Sequence, residues 1–168
     1  LAQLLVSWTE NLHLIHLEDT GATPEALRAM AAAGPVRALE SLHLSHNQDL
    51  LCTAEGGAAL AQLLGSCKKS LQNLKLRDTG AMPEALRAGE PPPHSPRGHR
   101  GDAGGAAGDG GSVVAAGPFL ALEEVDLCGN KALFHTAEGG AALEQLLGSC
   151  QESLRNIDLQ DTGATPEA

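Results

Sequence analysis

The sequence predicts an α/β fold: a right-handed solenoid segment with about five parallel strands on a concave face and helices on the convex face. Three observations carry this expectation. The first is composition, because 28 Leu and 27 Ala make up about a third of the 168 residues, against three aromatics. A core of this size normally uses rings as filler, so what is buried here is built from many small, similar pieces. The second is a phrase repeated five times, and the third is a set of helix-start signals in the stretches between its copies.

The phrase is Leu12-x-x-Ile15-x-Leu17, then Leu39-x-x-Leu42-x-Leu44, Leu71-x-x-Leu74-x-Leu76, Leu122-x-x-Val125-x-Leu127 and Leu154-x-x-Ile157-x-Leu159. Its last apolar pair alternates with polar residues, the period-2 signature of a half-buried strand. Two repeat types alternate. Asp-Thr-Gly follows the first, third and fifth strands at Thr20, Thr79 and Thr162, and an Asn follows the second and fourth at Asn47 and Asn130.

Between the strands, Thr23-Pro24-Glu25 offers a capping Thr, a Pro at the first helical position and an acid in the first turn. Thr165-Pro166-Glu167 repeats the signal, and Met82-Pro83-Glu84 lacks the cap. Glu55 to Ser66 and Glu138 to Ser149 are near-duplicates whose leucines at i, i+3 and i+4 form one helical stripe. Gly65 and Gly148 are expected to end these helices. A unit of about 30 residues cannot hide its apolar face alone, so copies stack with strands parallel, and the crossover preference makes the coil right-handed.

The last apolar strand residue recurs after 27, 32, 51 and 32 residues, so one insertion of 24 explains the irregular step. It divides the chain into repeats over 1–88, an insert over 89–112 and repeats over 113–168. The insert holds eight Gly and four Pro, too little apolar surface to offset its ordering entropy, and is expected to be a disordered loop. Pro93-His94-Ser95-Pro96-Arg97 and Arg100-Gly101-Asp102 within it are better explained by that biased composition than as binding motifs.

These repeats resemble the leucine-rich repeat, and the helix in every coil with two alternating repeat types is similar to the ribonuclease-inhibitor-like subfamily. The resemblance covers all of the chain except the insert. It implies that Asn47 and Asn130 hydrogen-bond buried backbone in the turn, with Thr20, Thr79 and Thr162 standing where that family tends to have Cys. It also implies a protein-binding role, with an enzyme regulator, either an inhibitor or a GTPase activator, as the alternative. A third possibility is a structural fragment whose binding repeats lie elsewhere.

The formal charge of −10 disfavours a nucleic-acid partner. No apolar run reaches the ~20 residues needed to cross a bilayer, so no membrane role is expected. Four cysteines are too sparse for a disulfide framework and suggest a reduced, cytoplasmic chain. Both ends fall in mid-helix, so self-association through uncapped ends is expected if the chain stands alone.

In a parallel strand, residues between the buried leucines face solvent. Successive copies then align His16, His43, Lys75, Asp126 and Asp158, with Arg77 two residues beyond Lys75. This stripe is the candidate partner-binding surface. Lys75 reads either as a cross-strand ion pair with Asp126 or, with Arg77, as a basic patch that docks an acidic segment, and Ser45 and Cys128 read as solvent-facing. His16 and His43, with Asp19 near His46, have metal-ligand chemistry, but two solvated imidazoles are the favoured reading and no metal or cofactor is expected. Catalysis finds no support: there is no nucleophile elbow, phosphate-cradling loop or Cys-x-x-Cys pair.

Overall fold

A computed structural model describes residues 11–86, 118–150 and 152–163. The expectations placed on the insert 89–112, on the helix start at Thr165 and on the chain ends lie outside these residues. The fold is α/β. Its elements in chain order are β1 (Leu14–His16), α1 (Pro24–Ala33), β2 (Ser41–His43), α2 (Ala54–Cys67), β3 (Asn73–Lys75), α3 (Pro83–Leu86), β4 (Glu124–Asp126), α4 (Ala137–Ser149) and β5 (Asn156–Asp158). The five strands form one sheet in the order β1-β2-β3-β4-β5, every pair parallel.

Each strand is three residues long because the phrase supplies one inward residue flanked by two outward ones. Ile15, Leu42, Leu74 and Val125 are buried, while their flanks are exposed or half-buried. The inward residues join Leu27, Leu60, Leu63, Leu64 and Leu146 of the helices in one apolar cluster, each fully buried Leu contributing about 2 kcal/mol. Phe119 and Phe134 are also buried there. The helices pack in sequence order, α1 on α2, α2 on α3 and α3 on α4.

Thr23 and Thr53 cap their helices, accepting bonds from Ala26 N at 3.3 Å and Gly56 N at 3.4 Å. The helix ends differ from expectation. Gly65 lies inside α2, which runs on to Cys67, and Gly148 lies inside α4. Neither has the left-handed φ of a terminating glycine. In α2 the buried Cys67 donates its thiol toward Leu63 O and Leu64 O, the hold expected of one more helical turn.

The second residue after each strand leucine adopts positive φ: Asp19 (54°), His46 (61°), Asp78 (51°), Gly129 (77°) and Asp161 (53°). One left-handed residue after each strand turns the chain off the sheet. Asp tolerates this region by bonding locally, and Gly enters it freely. In Asp-Thr-Gly the glycine has positive φ as well, at Gly21, Gly80 and Gly163.

Candidate functional site

The register brings the stripe together residue by residue. His16 pairs with His43, His43 with Lys75, Lys75 with Asp126 and Asp126 with Asp158, at the inter-strand spacing of about 4.8 Å. All five occupy the same position in their strands. The next outward row is Glu18, Ser45, Arg77, Cys128 and Gln160, so Arg77 stands one step beyond Lys75.

The β1–β3 half is imidazole-rich and sets Lys75 and Arg77 against Glu18 and Asp78. The His16 and His43 rings meet edge to face with centroids 5.2 Å apart. His16 Nε2 lies 3.0 Å from Glu18 Oε2, and the other Glu18 oxygen lies 3.6 Å from His46 Nε2. His46 Nδ1 in turn lies 3.2 Å from Asp78 Oδ2, which is 3.6 Å from Arg77 Nε. The sequence suggested Asp19 as the acid beside His46; the groups in contact are Glu18 and Asp78. His46 and Asp78 occupy the same left-handed turn position in adjacent coils, and those turns aim the two side chains at each other.

Burial first, then the Lys75 ammonium and His16, holds the His43 imidazole below its ordinary pKa, against an upward pull from Glu18 and Glu124. The bond from His16 holds the Glu18 carboxyl below its usual range. Because folding lowers the affinity of His43 for a proton, the unfolded chain takes up more protons as pH falls below about 6.5, and stability falls with it. NMR titration should show Lys75→Gln raising the His43 midpoint and Glu18→Gln lowering it. Unchanged midpoints in both variants would show that charge is not communicated along the row.

The β4–β5 half is acidic. Lys75 and Asp126 are register partners, yet no ion pair within 4.0 Å joins them among the described residues. Asp126 Oδ1 instead accepts from Cys128 N at 2.9 Å, which turns the carboxylate along its own strand. Asp158 Oδ1 does the same with Gln160 N at 3.0 Å. Ser45 and Cys128, expected to face solvent, are only 4% and 1% exposed. Both are short side chains flanked in register by longer ones, Glu18 and Arg77 for the first, Arg77 and Gln160 for the second.

Beneath the row, the turn residues lock coils to each other. Asn47 Nδ2 donates to Leu17 O (2.8 Å) and Leu44 O (2.7 Å), and its Oδ1 accepts from Ala22 N (2.8 Å). Asn130 Nδ2 donates to Leu76 O (2.8 Å) and Leu127 O (2.7 Å), while its Oδ1 accepts from Thr79 N (3.1 Å) and Ala81 N (2.9 Å). The hydroxyls of Thr20, Thr79 and Thr162 each donate to the last strand leucine of their own coil, Leu17, Leu76 and Leu159. These bonds hold the strand ends, and with them the row of outward side chains.

No protein-family model, curated protein or solved structure matches the chain. Among the described residues, no helix is long and apolar enough to cross a membrane. The cysteines are all free thiols, Cys52 exposed and Cys67, Cys128 and Cys150 buried. Burial pushes the Cys67 thiol up to about 12 and raises that of Cys150 as well, so both suit packing better than nucleophilic chemistry.

Proposed function

We propose that the chain is a segment of a right-handed leucine-rich repeat solenoid of the ribonuclease-inhibitor-like kind, and that it binds another protein on its strand face without catalysis. Its Asn-type repeats resemble those of leucine-rich repeat-containing protein 31. One observation carries the reading: five strands in unbroken register present His16, His43, Lys75, Asp126 and Asp158 as one polar row. Such a row is fixed before a partner arrives, which lowers the ordering cost of association. Neither phenylalanine of the described residues lies in it, both being buried in the core, and Leu14 on β1 is the exposed apolar side chain beside it, so contacts along the row itself are polar and steered by charge.

The test is a comparison of the chain with a His43→Ala, Lys75→Ala, Arg77→Ala triple variant in pull-downs. A specific protein captured by the first and lost by the second supports the reading. Capture that is indifferent to the three substitutions moves the binding surface elsewhere. The register-adjacent carboxylates Asp126 and Asp158 favour a second reading, regulation of an enzyme with a basic surface. That interaction would weaken steeply with added salt, and binding that is flat between low and moderate salt would count against it.

A further inference from the structure

Asp126 and Asp158 are directly opposed like charges on adjacent strands, an arrangement that costs stability unless something neutralises it. Neither forms an ion pair with a basic side chain among the described residues. One oxygen of each is held by a backbone N–H, and that orients the carboxylates. Cys128 lies among them. It is 1% exposed, and among the described residues its thiol makes no hydrogen bond, whereas Cys52, Cys67 and Cys150 each have a partner. One ligand atom from each of Asp126, Cys128 and Asp158 lies within 4.8 Å of the others.

We propose that Asp126, Cys128 and Asp158 form an open site for a borderline-soft divalent cation of the zinc class, with a fourth position left to water. One sulfur and two oxygens suit such an ion, whereas magnesium and calcium take oxygen alone. Ligands of a tetrahedral zinc stand about 3.5 Å apart, given bonds of about 2.0 to 2.3 Å, so small side-chain rotations close the present spacing. The cation neutralises the opposed carboxylates and gives the thiol its missing partner, and the thiol proton leaves to solvent. Without a cation, burial holds the Cys128 thiol above its ordinary pKa, with Arg77 pulling it down and Asp158, Asp126 and Asp161 pushing it up, and Arg77 Nε is turned toward Asp78. The site goes beyond protein binding by the row and does not depend on it.

Cobalt(II) titrated into the whole reduced chain tests this. The expected result is one ion per chain with a thiolate-to-cobalt charge-transfer band, an affinity rising about tenfold per pH unit below the thiol pKa, and one proton released. Cys128→Ser should abolish the band and Asp158→Asn should weaken binding, each with an unchanged far-ultraviolet circular dichroism spectrum, while Cys52→Ser keeps the band. A band that survives Cys128→Ser, binding lost only in a His16→Gln, His43→Gln variant, or no binding at all would overturn the proposal.

Discussion

Asn130→Ala is expected to lower the unfolding free energy by about 3 to 5 kcal/mol, read as a reduced urea midpoint. The residue is 1% exposed, and its amide serves two carbonyls and two backbone N–H groups, with a further contact to the Thr79 hydroxyl at 3.3 Å. Truncation leaves the Thr79 and Ala81 N–H groups without a partner, at about 1–3 kcal/mol for each one that water cannot reach, while Leu76 O keeps the Thr79 hydroxyl and Leu127 O keeps Asn130 N. A typical domain has only about 5–15 kcal/mol in total. Several of these bonds also join positions 49 to 54 residues apart, so no short stretch of chain holds the two turns together once they are lost. Asn47→Ala should cost less, because Leu17 and Ala22, which it holds, are only partly buried and water can replace the amide. A midpoint unmoved by Asn130→Ala would show that the turn does not depend on this side chain.

Two glycines of one helix should respond to alanine with opposite signs. A methyl on Gly57 would run into the backbone of Ala85 in α3, its Cα 2.6 Å away and its carbonyl closer still. Both sides of that contact are main chain, so relief requires moving one coil away from the next, at about 1–3 kcal/mol. Gly65 lies exposed in the same helix with nothing within 4 Å of an added methyl. There alanine only removes the entropy cost of a helical glycine, and Gly65→Ala should stabilise by about 0.5–1 kcal/mol. Thermal melts of the two single variants decide the matter, and the same sign for both would contradict the close approach of α2 and α3.

The strands and their register were legible in the sequence because three apolar residues at fixed spacing leave one way to bury them. A slip of one residue would turn Leu42 outward and His43 inward. The row from His16 to Asp158 follows from that register alone. The fate of individual outward side chains was not legible, since it depends on what stands beside them. Cys128 and Ser45 have solvent-facing positions but are covered, and Asp126 turns to its own strand rather than to Lys75. The pairing of His46 with Asp78 needs the left-handed turn, which Asp and Gly suggest but a histidine does not. A glycine near a helix end reads as a stop, but neither Gly65 nor Gly148 takes the left-handed φ that ends a helix, and the helices run on to Cys67 and Ser149.

The asparagine bonds fall at alternate junctions. Asn47 ties the first coil to the second and Asn130 ties the third to the fourth. The second and third coils, and the fourth and fifth, are joined at the same level by backbone bonds from Leu51 N to Thr79 O and from Phe134 N to Thr162 O. The turns after the strands are therefore of two sexes, one that gives an amide backward and one that receives it. A gene that lengthened such a chain by copying one coil would set two donors or two receivers side by side. Copying a pair leaves every junction matched, and the near-identity of Glu55–Ser66 with Glu138–Ser149, two coils apart, is the mark such copying would leave.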